Sequence, residues 1–477
     1  MTDGLPNPQR SFAFLTIAIA IVIAVLDTSI VNVALPAIGR DLAVSPAQAI
    51  WVVNAYQLAI TVSLLPLACL GDIMGYKRIY WSGLAVFTAA SFACANAHTL
   101  PVLAAARVVQ GLGAAGIMSV NIALVRFIYP KAQLGVGVGY ASLIVAVASA
   151  AGPSVASAIL SVAHWQWLFL VNVPLGLLAL VVGARTLPIT PASGKRLDKL
   201  STVLNAITFG LLISGLAAFS EAGGAARGVA MVTAGLLVGA VFVWRENRLR
   251  EPLLPIDLLR MPVFSLSMVT SICSFAAQTM AFIALPFYFE TTLGRPATQT
   301  GLLMTPWPLM TALIAPIAGR LSDRMSPERI SSIGLVFLGC GLASLYWLGS
   351  DPSMFDVAWR LAIGGLGFGL FQSPNNRVIM GSAPRERSGG ASGLQSMGRL
   401  LGQSLGAVVV ALVFGLAHQR QAQLVTAIGA ALALIAANAS ALRRVKSSRA
   451  PDVAASPVAA SPAVSDRAVP DRALSDR

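Results

Sequence analysis

Leu26-Asp27-Thr28-Ser29-Ile30-Val31-Asn32-Val33-Ala34-Leu35-Pro36 places one carboxylate inside an apolar run that extends from Phe12 to Pro36. At 1.5 Å per residue a bilayer crossing needs about 20 residues, so the run can span a membrane with Asp27 near its middle. An ionised Asp at that depth costs about 2.5–3.5 kcal/mol on insertion scales. A chain that retains one is expected to use it for an ion, a proton or a charged ligand, the bland alternative being a tolerated polar residue. The remaining sequence has to supply what surrounds Asp27.

Composition sets the class. Hydrophobic residues make up 56% of the 477 and charged residues 11%, with a mean hydropathy of +0.76; soluble domains carry about 25% charge. The chain therefore reads as an all-α polytopic membrane protein. Apolar segments fall near 12–36, 49–70, 79–98, 101–127, 134–161 and 165–185, then a middle pair near 201–220 and 228–244. Six more follow near 264–290, 299–319, 330–349, 356–380, 390–416 and 422–442. Their lengths suit helices and exceed those of barrel strands.

The net charge of +14 sits in short clusters between these segments instead of lining one face, which membrane topology explains better than nucleic-acid binding, and no nucleic-acid partner is expected. Lys77 and Arg78, Arg126 and Lys131, Arg185 to Lys199, Arg245 to Arg260, Arg320 to Arg329, and Arg385 with Arg387 all follow even-numbered segments. The positive-inside rule then places both termini in the cytoplasm. His98, His164 and His418 fall in outer loops, away from mid-membrane proton chemistry. Cys69, Cys94, Cys273 and Cys340 lie inside apolar segments without metal-ligand spacing, so small buried residues, no disulfide and no metal are expected. No cofactor is called for. The first run is too long for a cleavable signal and is expected to stay as a helix. Beyond Ser447 the chain alternates Ala, Ser, Pro and Val and ends in three near-copies, from Ala463, Ala468 and Ala473; a disordered tail is expected.

The chain also repeats itself. Leu70-Gly71-Asp72-Ile73-Met74-Gly75-Tyr76-Lys77-Arg78 follows the second segment, and Gly319-Arg320-Leu321-Ser322-Asp323-Arg324 follows the second segment of the later set. The fourth segment of each set then carries Arg-x-x-x-Gly, as Arg107 to Gly111 and Arg360 to Gly364. Two duplicated six-helix halves with a site at their interface is a common transporter plan.

With these stretches in place, the sequence resembles the major facilitator superfamily, in particular its fourteen-helix drug:proton antiporters of the QacA/EmrB type. The resemblance rests on Leu26 to Pro36, the loop around Asp72, Arg107 to Ala115, and Gly152-Pro153 with Trp165 to Pro174, and extends through Gly402. Departures occur at Ala68, Ile73, Ala156, Ser157 and Gln166. It implies a major facilitator fold of two six-helix bundles plus two linking helices, fourteen in all. The expected divisions are a first bundle over 1–185, a linker with the extra pair over 186–262, a second bundle over 263–442 and the tail over 443–477. It further implies proton-coupled export of small amphipathic compounds across the cytoplasmic membrane, with an endogenous metabolite as the alternative cargo. A channel or a membrane enzyme is the remote reading. No G-x-x-x-x-G-K-[ST] stretch for ATP occurs.

The residues carry physical readings of their own. On the fourth segment Arg107, Gln110, Gly111, Ala114 and Met118 share one face, and a buried guanidinium there needs a counter-charge. Asp27 is its natural partner, so the pair is the candidate for proton coupling; the alternative has Arg107 snorkelling outward. Gly152 and Pro153 mark a close-packing, kinked face suited to a moving interface. Asp72 and Asp323 are expected to pair with Arg or cap a helix, alongside Gly75, Lys77, Arg78, Gly319 and Arg324 as conformational elements. Asn32, Trp51, Asn54, Gln57, Gln278, Phe282, Tyr288, Glu290, Trp307, Gln372 and Asn375 are polar or aromatic within helices and so candidates to line a cavity. With little negative charge beyond Asp27, the expected substrate is a lipophilic monocation or neutral amphiphile.

Overall fold

Inside hydrocarbon every backbone N–H and C=O must find a partner within its own segment, and the long apolar runs accordingly fold as α-helices. The computed structural model describes residues 4–447 apart from 131–132, 192–197, 220–222, 250–255, 323, 350, 384–387 and 418. Asp323, His418 and nearly all of the expected tail lie outside the described residues.

The first set of crossings comprises α1 (Gln9–Asp41), the short α2 (Pro46–Ala49) leading into α3 (Trp51–Met74), α4 (Tyr76–Ala95), α5 (Leu100–Ile128), α6 (Leu134–Val162), and α7 (Gln166–Leu170) running into α8 (Asn172–Thr186). The middle pair is α9 (Lys199–Ala218) and α10 (Ala225–Glu246), after which α11 (Ile256–Leu259) leads to the second set. That set is α12 (Pro262–Phe287), which ends in a π-turn over Tyr288–Thr292, then α13 (Ala297–Met304) with α14 (Pro306–Leu321), α15 (Pro327–Tyr346), α16 (Met354–Ser382), α17 (Ser388–Leu416) and α18 (Gln421–Ser447). Among the described residues thirteen helical spans are long and apolar enough to cross a membrane. The exception is α4, whose first turn carries Lys77 and Arg78.

The duplication visible in the sequence is visible in the packing. On α4 and α5, a Cβ built on Gly113 would lie 2.4 Å from the backbone nitrogen of Phe87, and one on Gly83 would lie 2.9 Å from the Gly113 carbonyl. On α15 and α16, a Cβ on Gly367 would lie 2.3 Å from the nitrogen of Leu338, and one on Gly334 would lie 2.6 Å from the Gly367 carbonyl. Each half thus brings its third and fourth crossings to backbone contact through one glycine pair, the small-residue packing that membranes favour where lipid offers no hydrophobic drive.

Loops divide the molecule into a basic side and an opposite side. On the basic side Leu5 N–H donates to the Ile128 carbonyl, Lys77 Nζ donates to the Ala184 carbonyl at 3.0 Å, and Gly75, at φ +91°, lies under Thr190. The linking pair is pinned there too. Asp198 caps α9 through Leu200 and Ser201 and meets Arg245 of α10 at 2.8 Å. Partial burial would raise its carboxyl, but the hydrogen bonds from Arg245 and Ser201 outweigh that and hold it below its ordinary range.

On the opposite side the two halves are fastened together. Arg40 at the end of α1 pairs with Glu290 in the π-turn at 2.8 Å, Ser157 Oγ donates to the Ala297 carbonyl at 2.7 Å, and Ser154 and Thr305 hydroxyls meet at 2.9 Å. Gly301 abuts the Pro153 carbonyl so closely that a Cβ would stand 2.3 Å from it. The α6 face built around Gly152 and Pro153 is therefore a contact between halves, with Gly152 itself seated on Ser29.

One expectation changes. None of the four cysteines is in a disulfide, but only Cys94 is buried; Cys69 and Cys273 are half-buried and Cys340 is exposed on α15. An apolar segment has a lipid-facing side as well as a protein-facing one, and hydropathy alone does not distinguish them.

Gly113→Ala and Gly367→Ala each push a methyl into backbone. Overpacking of this kind costs about 1–3 kcal/mol, so both variants are expected to melt several degrees below the parent in detergent, while Gly210→Ala, where no atom lies within 4 Å, leaves the melting temperature unchanged.

Candidate functional site

Asp27 and Arg107 are each 1% exposed, and they form a salt bridge through Arg107 Nη1 and Asp27 Oδ2. Helix spacing makes the meeting possible: Arg107 and Gln110 stand one turn apart on α5 and face the same point of α1. Gln110 Nε2 donates to Asp27 Oδ1 at 2.8 Å and to Ser91 Oγ of α4 at 2.9 Å, while its Oε1 accepts from Arg107 Nη1 at 2.7 Å. Asn172, the first residue of α8, donates to Asp27 Oδ1 at 3.2 Å. Arg107 Nε donates to the Val52 carbonyl at 3.1 Å, and the guanidinium lies 4.0 Å from the Tyr56 ring centroid and 5.6 Å from that of Phe169.

This is a fully enclosed charge pair whose carboxylate oxygens accept from three side chains, Arg107, Gln110 and Asn172, and whose cation is covered by two rings. A buried pair needs such additional bonds to offset desolvation, and cation–π contact strengthens where water is excluded. The donor set suits an ionised carboxylate. The snorkelling alternative for Arg107 is overturned by its burial.

Sequence reading missed four members, of which Ser91 of α4, one small hydroxyl in an apolar run, carried no signal of its own. Asn172 and Phe169 lie in the quoted Trp165 to Pro174 stretch without a role, although an Asn in an apolar helix start is itself a signal of a buried acceptor nearby. Tyr56 was passed over in favour of the more polar Asn54 and Gln57; its position four residues after Val52, which binds Arg107, could have placed it.

The other candidates are placed variously. Gly111 packs on the Tyr56 carbonyl, 2.6 Å from a built Cβ, and fixes the α3–α5 contact. Gln57 reaches across the halves to Gln403 of α17 at 3.3 Å. Asn54 is buried with neither amide atom bonded, and Asn32 is buried with an unbonded Oδ1. Gln278 and Gln372 are half-buried on α12 and α16.

Several expectations are corrected. Trp51 packs with Leu58 against Ile213, Ala217 and Val408, towards the linking pair and not into a cavity. Trp307 is 1% exposed, stacks edge-on to Phe282 at 5.6 Å, and fills the space over Gly364 and Gly365, so it is core of the second half. Asn375 is tied to Ser271 at 2.9 Å and to the buried Arg443 at 2.6 Å. Glu290 serves the fastening with Arg40, whereas Tyr288, which bonds the Gly349 carbonyl at the same end, does line a cavity there, with Phe287, Phe414 and Gln421. Asp72 neither pairs with Arg nor caps a helix: it lies in the last turn of α3 and accepts the Tyr76 hydroxyl at 2.6 Å, with Arg78 exposed. Gly319 lies 3.1 Å, at a built Cβ, from Ser373 Oγ, and Arg324 is exposed. The repeat partner of Arg107 differs too, since Arg360 pairs with Asp356 one turn away and remains partly exposed. Among the described residues no group of His, Cys, Asp or Glu is arranged to hold a metal.

Comparison with known proteins agrees with this geometry. The chain is 52% identical over 92% of its length to an uncharacterized transporter, YebQ, of Escherichia coli strain K12, covering 97% of that protein. It is 30% identical to the riboflavin transporter RibZ of Clostridioides difficile, over 80% of this chain and 83% of that one. It is also 30% identical to the tetracenomycin C resistance and export protein of Streptomyces glaucescens, over 85% of this chain and 76% of that one. In fold it is similar to a bacterial homologue of the human lysosomal transporter Spinster, with a TM-score of 0.67 at 15% identity, covering 92% and 98% of the two chains. The Major Facilitator Superfamily is matched over residues 17–407 and again over 267–465. The chain is a multi-pass membrane transporter of the major facilitator superfamily.

Proposed function

We propose that this transporter is a proton-coupled exporter of small amphipathic compounds, built on the fourteen-crossing plan of the drug:proton antiporters, with both termini in the cytoplasm of a bacterial cell. The observation that carries the reading is the enclosed Asp27–Arg107 pair with its Gln110 and Asn172 donors. Relatives named for drug export and efflux support the direction of transport.

Antiport requires proton and substrate to stabilise different states of one carrier. With Asp27 ionised, Arg107 is held and α1, α5 and α8 are tied together. Protonation releases the guanidinium and loosens that tie, which couples proton occupancy to the angle of α1. Because α1 also bears Arg40 of the fastening to the second half, a change in α1 reaches the interface directly. The basic-side loops then face the cytoplasm, and the fastened state is one closed to the outside. On this plan the bundles are 1–185 and 263–442, joined by the pair within 186–262, and the chain continues through 443–477. Asp27 is neutralised by Arg107, so compact dications find no fixed negative charge there.

Reporter fusions test the architecture. Fusion after Asn247 is expected to report cytoplasm and fusion after Gly223 the outside; Gly223 reading as cytoplasmic would remove the linking pair from the membrane. Everted vesicles test the coupling. Asp27→Asn is expected to abolish transport driven by a pH gradient while retaining substrate counterflow. Arg107→Ala strands the carboxylate, a loss of about 3–5 kcal/mol for a broken buried pair, and is expected to lower both yield and melting temperature. Gradient-driven transport undiminished in Asp27→Asn would show that coupling resides elsewhere.

A further inference from the structure

On α17, Ser392, Gln395, Ser396, Arg399 and Gln403 are all half-buried and all polar. At 100° per residue they fall within an arc of about 100°. The other faces of the helix are occupied. Leu394, Met397 and Leu401 join Leu204, Phe209 and Phe242 of the linking pair, on the side diametrically opposite the polar arc. Gly398, Gly402 and Gly406 rest on Met268, Ile272 and Ala276 of α12, and Gly393 and Leu400 rest on the first bundle. The polar arc therefore faces the seam between α3 of the first bundle and α12 of the second, where Gln57 of α3 donates to Gln403 at 3.3 Å.

Arg399 stands one turn below Gln403, about 14 Å into the helix from Gly390 at 1.5 Å per residue. Its guanidinium makes no hydrogen bond or ion pair among the described residues, and its Nε is buried without a partner. Two fully buried cations among the described residues differ from it: Arg107 has Asp27, and Arg443, whose Nε is likewise unbonded, donates through its other nitrogens to Ser267, Asn375 and Ser440. An unneutralised guanidinium inside a membrane is costly and is retained where a ligand or an ion meets it. Five N–H donors in a planar fork match a planar oxyanion two at a time.

We propose that Arg399 is the recognition point for an acidic group on the substrate, a carboxylate or an acidic enol, so that the exported compounds are amphipathic organic anions or their neutral isosteres and not cations. This rests on the exporter reading and replaces the monocation class expected from the sequence, which counted carboxylates and overlooked Arg399. The neighbouring Gln403, Gln57 and Gln395 supply neutral hydrogen bonds on either side of the charge, and the Asp27–Arg107 pair, closed within the first bundle, leaves its cation no positive charge to spare for the same task.

The test uses purified full-length protein and three probes of one size: 2-naphthoate, 2-naphthamide and 2-naphthylmethylammonium. The parent is expected to bind naphthoate about tenfold or more tightly than the ammonium compound, as a charge-assisted bidentate pair allows. Arg399→Gln is expected to erase that preference, Arg399→Lys to keep part of it, and Arg399→Glu to reverse it, with melting curves checking that each variant is folded. Equal or tighter binding of the ammonium compound by the parent, no binding of naphthoate at millimolar concentration, or an unchanged preference in folded Arg399→Gln overturns the proposal. Transport in proteoliposomes under a pH gradient separates this from the exporter reading. An anion preference in binding without gradient-driven transport sinks the exporter and leaves the site, and gradient-driven transport of the ammonium compound in preference to naphthoate does the reverse.

Discussion

A carboxylate in the middle of a bilayer has to be neutralised or used, and the first half of this protein is organised around neutralising Asp27 without sealing its fate. Arg107 supplies the charge, and Gln110, Ser91 and Asn172 complete the hydrogen bonds. Those groups come from α1, α4, α5 and α8, so one pair ties four crossings. The glycine contacts are the condition for it: Gly111 against Tyr56 and Gly113 against Phe87 let α5 approach α3 and α4 closely enough for short side chains to reach. In the proposed mechanism the same pair that stabilises the bundle is the one whose protonation releases it.

The two halves share a scaffold and differ in chemistry. Gly83 with Gly113 and Gly334 with Gly367 perform one packing task twice. Arg107 and Arg360 occupy equivalent places, yet only the first has a buried carboxylate from another helix; the second takes Asp356 from its own helix at the surface. Duplication conserves the backbone contacts that permit helix approach, while side chains are free to specialise. The first half holds the enclosed Asp27–Arg107 pair, and the second holds Arg399, whose Nε has no partner among the described residues. Arg40 and Glu290 join the halves at one end, where α1, the helix of Asp27, meets the π-turn.

Much of this was legible from the residues. Apolar run lengths located the thirteen helical spans that qualify as crossings among the described residues, and the need of a buried guanidinium for a counter-charge named Asp27 as the partner of Arg107, while the bond of Gln110 to the same carboxylate was not read. Contacts between distant elements were less legible. Trp51 and Trp307 look alike in sequence, but one meets the linking pair and the other fills the core over Gly364, a difference set by helix rotation. Asp72 was read as an ionic group from its basic neighbours, yet those residues diverge at the helix start and a tyrosine takes its place. Arg399 and Arg443 lie near clusters of loop arginines, and only packing distinguishes a buried guanidinium from a snorkelling one.

The central claim is that the protonation of Asp27 sets the conformational equilibrium, and distance measurement between spin labels at Pro46 and Thr292, which flank the Arg40–Glu290 fastening, addresses it without any substrate. In the parent protein the distance distribution is predicted to shift between two populations as pH is lowered, and in Asp27→Asn the distribution is predicted to be the same at every pH. A pH-driven shift in Asp27→Asn equal to that of the parent would contradict the account.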